Sequence, residues 1–331
     1  MRMEQHSFLS LGERGFHRVA YTEWGDPSNP HVVLCVHGLA RNSRDFDFLA
    51  EALARDARVV CMDVVGRGDS DWLDDKAEYT FSTYMSDAAA LIARVTTPIR
   101  ERFFPDLRSR WLRRASGTRL DWIGTSMGGL IGVLLAAKRN APIRRLVLND
   151  VGPLVPWHGL FSLKGHIGRT TKFASLDEVE AQVRQTCASF GPLTDAQWRH
   201  LALHSVREQE DGSFALRYDP GIGRAFHGHR DPELPLGPDF LRGVDLWSTW
   251  EQVKCPQLVL RGETSEVLTR DTLADMRRRK RDLEAVEFPG VGHAPALMSD
   301  EQVGVVREFL TRPDVPAAAD PDAQAERQGN Q

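Results

Sequence analysis

The sequence predicts an α/β protein, built on a mostly parallel sheet with helices on both faces and interrupted once by a mainly helical cap. Three observations carry this. Short apolar, β-branched runs alternate with segments whose apolar residues recur at helical spacing. Several of those runs end in glycine, as buried strands do where they enter a loop. The alternation then stops between residues 153 and 254, where helical stretches and several Trp and Pro replace clear buried strands.

Taken in order, residues 16–24 followed by G-D-P-S-N-P read as a first hairpin, and H-V-V-L-C-V-H-G (31–38) as a buried central strand. Residues 45–55 carry Phe46, Leu49, Ala50 and Leu53 at helical spacing, and A-R-V-V-C-M-D-V (57–64) supplies the next strand. Met85, Ala88, Ala89 and Ile92 mark a helix over 84–95. R-L-D-W-I-G (119–124) runs through T-S-M-G-G into a helix at 130–138, and R-R-L-V-L-N-D-V (144–151) follows as a strand. C-P-Q-L-V-L-R-G and A-V-E-F-P-G extend the series after residue 254, and 301–310 closes it as a helix. The expected organisation is therefore a core of residues 1–152 and 255–312, a cap of 153–254, and a polar, proline-broken disordered tail of 313–331.

The composition is that of a soluble globular protein, with 41% hydrophobic and 27% charged residues in 331. A net charge of −4 offers no global attraction to nucleic acid. No run is long and apolar enough to span a membrane, and residues 1–13 lack the apolar stretch of a secretory signal. Cys35, Cys61, Cys187 and Cys255 lie far apart, without a C-x-x-C pair or metal-knuckle spacing. Reduced core cysteines and a cytoplasmic location are the expectation.

G-T-S-M-G (124–128) matches G-x-S-x-G and lies between a predicted strand and a predicted helix, the context that gives this pattern its meaning. A serine on such a tight turn needs neighbours without Cβ atoms. Its hydroxyl is a poor nucleophile at neutral pH, so it needs a base and a group to orient that base. His293, in P-G-V-G-H-A-P beyond the last predicted strand, is the candidate base for Ser126. The expected acid is Glu266, in R-G-E-T-S-E, which gives the chain order Ser, acid, His; Asp150, at the end of the strand 144–151, is the alternative. Oxyanion donors are expected from the Met127 amide and, in H-G-L-A-R, from the Leu39 amide. His37 either braces that loop or faces the substrate pocket. No metal or organic cofactor is required by this chemistry.

Together H-G-L-A-R, D-V-V-G-R-G-D-S-D-W, G-T-S-M-G-G and V-G-H-A-P, in that order, resemble the α/β-hydrolase family in its cap-bearing, esterase-like branch. The likeness runs from about residue 18 to residue 310. It implies the α/β-hydrolase fold, with the family's serine on Ser126 and its histidine on His293. Where the family usually has aspartate after the penultimate strand this chain has Glu266, which keeps Asp150 open as the acid. The implied reaction is hydrolysis of a small-molecule carboxylic ester, namely short or medium acyl esters, lactones or hydroxyacid oligomers. A carbon–carbon bond hydrolase of dienoic diketones, or a non-catalytic binding protein on the same fold, are the alternatives.

Two further features have plain structural readings. Residues 96–119 form an Arg-rich amphipathic insertion, read as a helix on the sheet domain with a solvated arginine face; a homodimer or surface contact is its other reading. In the cap, Trp157, His158, Phe161, Trp198, Trp247 and Trp250 serve as cap core or pocket lining, with Trp157 and His158 nearest the site.

Overall fold

Strands with no polar face can only sit where both faces are covered, and four of them make the centre of this molecule. The structure is a computed structural model that describes residues 2–97, 117–156, 172–226 and 243–313. An eight-stranded sheet is formed by β1 (Glu4–Leu11), β2 (Phe16–Trp24), β3 (His31–Val36), β4 (Arg58–Met62), β5 (Arg119–Thr125), β6 (Ile143–Asn149), β7 (Gln257–Gly262) and β8 (Glu284–Phe288). Their spatial order is β1-β2-β4-β3-β5-β6-β7-β8. The pairs β1/β2 and β2/β4 are antiparallel and all others parallel. Every residue of β3, β4 and β7 is buried, as is all of β5 between its end residues.

Helices cover both faces. On one side α2 (Phe81–Thr96) and α3 (Met127–Ala136) pack Leu91, Ile92, Ile131 and Leu134 against Leu34, Trp122 and Leu148. On the other, α1 (Asp47–Leu53) and the C-terminal α8 (Asp300–Thr311) place Leu49, Leu53, Val306 and Phe309 on Val33, Val59 and Ile123.

Between β6 and β7 the chain leaves the sheet. This insertion contains α4 (Leu176–Thr186), α5 (Asp195–Ser205), α6 (Trp247–Glu251) and two small antiparallel sheets. Its helices α4 and α5 enclose a separate apolar cluster of Val179, Val183, Trp198 and Leu201, which also takes in Met298 from the loop after β8. Trp250 instead lies in the core of the main sheet, its Nε1–H donating to Gln257 Oε1 at 2.7 Å. Trp157, His158 and Phe161, most of the Arg-rich insertion (residues 98–116) and the tail from residue 314 lie outside the described residues.

The N-terminal hairpin differs from the sequence expectation. Residues 16–24 are one uninterrupted strand whose partner is β1, joined by a turn in which Gly12 N–H donates to Gly15 O at 2.8 Å. β1 leaves no periodic signal because it is an edge strand that exposes Leu9 and Leu11 to solvent. A helix α7 (Arg270–Arg279) has no counterpart in the sequence expectation, since charge dominates it and its buried stripe is only Thr272, Leu273 and Met276. The four cysteines are free thiols. Among the described residues no helix is long and apolar enough to cross a membrane.

A buried polar tie holds the hairpin to α2. His17 Nε2 lies 2.9 and 3.0 Å from the two carboxylate oxygens of Asp87. That hydrogen bond raises the His17 pKa above 6.5, against the opposing effect of burial. A raised histidine pKa stabilises the fold fully below the unfolded value and loses that contribution as pH rises through the folded one. The gap in melting temperature between wild type and His17→Gln should therefore be wider at pH 6 than at pH 9, a comparison that thermal melts at the two pH values can make.

Candidate active site

β5 ends at Thr125 and α3 begins at Met127, so Ser126 alone makes the turn between them. It does so at φ 51°, ψ −113°, a left-handed conformation that costs a non-glycine residue about 1–3 kcal/mol. Its amide donates to Asn149 O at 3.0 Å, and its carbonyl caps α3 through Gly129 N and Leu130 N. The flanking glycines are required by contact. A Cβ on Gly124 would sit 2.3 Å from the Gly128 carbonyl carbon, and one on Gly128 only 2.0 Å from Val36 O. The strand, the turn and the helix are thus pressed together backbone on backbone, which thrusts the Ser126 side chain out at the C-terminal edge of the sheet.

His293 reaches this point from the loop after β8. Its Nε2 lies 2.9 Å from Ser126 Oγ and its Nδ1 2.6 Å from Asp150 Oδ2. The loop is held from the insertion: Ser189 Oγ donates to His293 O, and Gly292 N donates to Ser189 O at 2.7 Å.

The carboxylate that the structure brings to His293 is Asp150 and not Glu266, the acid expected first. Asp150 is wholly buried at the end of β6. Its carboxylate accepts from Gly262 N at 2.9 Å, Ser265 Oγ at 2.5 Å and His293 Nδ1 at 2.6 Å. Glu266 is exposed. The chain turns after β7 so that Ser265 faces the interior and the next residue faces water, with Ser265 Oγ also accepting from Val267 N and Leu268 N. A carboxylate kept away from water must be paired and hydrogen-bonded, which Asp150 is.

Across from this series runs the H-G-L-A-R loop. A Cβ on Gly38 would stand 3.8 Å from Ser126 Cβ, so the loop passes directly beside the serine. Among the described residues, neither the Leu39 nor the Met127 amide donates to an acceptor. His37 holds that loop from within the protein. It is buried, Nδ1 donates to Gly38 O at 2.7 Å and Nε2 accepts from Val64 N at 3.0 Å. Because Val64 N–H needs a lone pair on Nε2, the ring is the neutral Nδ1–H tautomer. Burial agrees, pushing its pKa down to about 3. The Gly38 carbonyl it grips belongs to the same peptide unit as the Leu39 amide, so the ring sets the direction of that N–H. A narrow cleft beside Thr125 and Ala294 is walled by Phe190, Leu201, Ala296 and Met298. Trp157 and His158 fall outside the described residues.

Sequence reading overlooked Ser265, Ser189 and Asn149. The last donates to Thr125 Oγ1 at 3.0 Å and to Pro295 O at 2.9 Å, bridging the serine turn and the histidine loop. Its only sequence signal is a polar pair, N-D, ending an otherwise apolar strand. A hydroxyl, an imidazole and a buried carboxylate in this order can pass a proton from oxygen to nitrogen while the resulting cation is stabilised.

The sequence model of a family described as the alpha/beta hydrolase family matches residues 33–307. A 3-hydroxybutyrate-oligomer hydrolase of Cupriavidus necator is 39% identical over 304 residues, covering 91% of this chain and 95% of that protein. A 2-(acetamidomethylene)succinate hydrolase of Mesorhizobium japonicum is 26% identical over 266 residues, covering 79% and 81%. A crystal structure of an alpha/beta hydrolase from Novosphingobium aromaticivorans superposes with a TM-score of 0.75 at 34% identity, covering 94% of this chain and 99% of that one.

Gly128 in the turn and Gly304 in α8 should respond oppositely to an added methyl. Gly128→Ala should lower stability by more than about 3 kcal/mol, because its methyl would displace main chain. Gly304→Ala, exposed in α8 with nothing within 4 Å, should raise it by about 0.5–1 kcal/mol. Urea denaturation of the two variants checks both signs.

Proposed function

This chain belongs to the alpha/beta hydrolase family, and on that premise we propose that it hydrolyses carboxylic esters, with short 3-hydroxyacid oligomers as its substrate class. One observation carries the reaction type: the unbroken series Ser126 Oγ, His293, Asp150, with links of 2.9 and 2.6 Å. Ser126 is the nucleophile. As it attacks the ester carbonyl, its proton passes to His293 Nε2, and the buried Asp150 carboxylate stabilises the imidazolium through Nδ1–H. The tetrahedral oxygen is received by the Leu39 and Met127 amides, the latter at the positive end of α3. His293 then gives its proton to the leaving alkoxide. Water repeats the sequence on the acyl-enzyme, with His293 again as base.

The substrate class draws on two supports. The Cupriavidus relative, by its name, hydrolyses 3-hydroxybutyrate oligomers, and the identity extends over nearly the whole of both chains. A narrow cleft between Ala294 and the insertion presents carbon from Phe190, Leu201 and Met298 beside the Arg41–Asp45 ion pair, so the surface next to the histidine loop is partly apolar. The insertion, residues 153–254, is read here as a cap, since its Ser189 and Phe190 border both the histidine loop and that cleft.

Steady-state kinetics on 3-hydroxybutyrate dimer and trimer test the reading. Ser126→Ala and Asp150→Asn should each lower kcat by about 10⁴-fold or more, whereas Glu266→Ala should stay within about twofold of wild type. Turnover of a dienoic diketone with none of an ester would transfer the chemistry to a carbon–carbon bond. Loss of activity in Glu266→Ala with full activity in Asp150→Asn would reverse the acid assignment.

A further inference from the structure

The motif D-V-V-G-R-G-D-S-D-W has no part in the proton series, yet it buries an arginine completely. Arg67 has no exposed surface. Its Nε donates to Leu39 O at 2.9 Å, one Nη to Val65 O at 2.7 Å and to Tyr84 Oη at 3.0 Å, and the other Nη lies 3.8 Å from Met127 Sδ. The guanidinium carbon stands 5.7 and 5.0 Å from the Tyr79 and Tyr84 ring centres. Among the described residues no carboxylate pairs with it. The acid behind it, Asp219, accepts from Tyr79 Oη at 2.6 Å and pairs with Lys76.

The fold goes to some length to hold this charge. Gly66 and Gly68, either side of it, adopt φ of +84° and +55°. A Cβ on Gly66 would meet the Tyr79 ring at 2.6 Å, and one on Gly68 the Asp63 carboxylate at 2.2 Å. Arg67 also bridges to Tyr218 of the insertion. Packing alone does not require a desolvated cation here, since an apolar side chain of similar volume fills such a site at lower cost.

The contacts of Arg67 converge on Leu39 and Met127, the two residues whose amides are read above as the oxyanion donors. His37 holds the peptide before Leu39 through Gly38 O, and Arg67 holds the peptide after it through Leu39 O. Leu39 is therefore gripped on both sides. We infer that Arg67 is a positioning residue for the oxyanion hole, holding Leu39 and Met127 so that their amides converge and adding positive charge behind the negative oxygen that forms there. In a water-excluded interior that charge acts with little screening. The inference rests on the ester-hydrolase reading of Ser126.

The test uses the full chain and two readouts: kcat and KM on 3-hydroxybutyrate dimer, and the rate at which a fluorophosphonate phosphonylates Ser126. Arg67→Met should lower kcat and the labelling rate by about 100-fold, with KM changed less than about threefold. Arg67→Lys, which restores charge without the planar fork, should recover part of the loss. A trifluoromethyl ketone, which forms the tetrahedral adduct, should lose affinity in parallel with kcat/KM. Arg67→Met with kcat and labelling within about threefold of wild type, or a loss confined to KM, would overturn the inference. Should Arg67→Met fail to fold, Tyr84→Phe decides. It removes one tether of the guanidinium and should lower kcat about three- to tenfold at constant KM, and an unchanged kcat counts against the inference. If wild type turns over no ester, the ester reading falls by itself, and the labelling rates still decide for or against Arg67.

Discussion

The architecture of the site hangs on a carboxylate that never meets water. Asp150 ends β6 inside the protein, and its two oxygens are shared among the backbone of β7, the hydroxyl of Ser265 and the imidazole of His293. Two of those partners sit three residues apart at the end of β7 and the third follows β8, so one desolvated charge ties both segments to the end of β6. An ionised carboxylate in such a place is tolerated only while its hydrogen bonds stay filled, and this makes the geometry around it stiff. Removing a partner would leave the charge buried and exposed to its full desolvation cost.

On the other side of Ser126 the constraint is steric. Gly128 approaches the Val36 carbonyl more closely than any side chain permits, and Gly124 approaches Gly128 in the same way. The serine absorbs the resulting strain in its own backbone. Two opposed requirements therefore meet at one hydroxyl, a turn so tight that it must project outward and a histidine loop tethered to a buried acid. The loop that carries Leu39 is stiffened in turn by two buried nitrogen-bearing side chains used differently. His37 is neutral, held so by burial, and serves as a directed donor. Arg67 has several donors and brings a charge.

Asp150 and Glu266 show where sequence reading succeeds and where it fails. Chain order and family habit favour an acid after β7, and Glu266 is there, but it points into solvent while its neighbour Ser265 points inward. Side chains in a turn alternate with no fixed period, so their direction cannot be counted off from the strand. The better signal lay in β6, where a carboxylate closes a run otherwise made of buried apolar residues. Such an acid has to be satisfied by something in three dimensions. Its φ of 57° adds to this, since aspartate is among the few residues that accept that conformation.

Ser126, His293 and the alternation of strand and helix were legible because each rests on local pattern: β-branched runs for strands buried on both faces, glycines where main chains touch, a histidine in a glycine- and proline-flanked loop. The N-terminal edge strand was not legible, since a strand with one exposed apolar face carries no periodic mark. Neither was the acid, nor the grip of His37 and Arg67 on Leu39. The acid and the Arg67 contact join residues 143 and 28 positions apart, and the His37 ring, though it grips its neighbour's carbonyl, is oriented by Val64, 27 positions on; only the folded chain brings these groups within hydrogen-bond reach. Local physics determined where a serine turn and a histidine loop would stand, and tertiary packing decided which carboxylate lies beside the histidine.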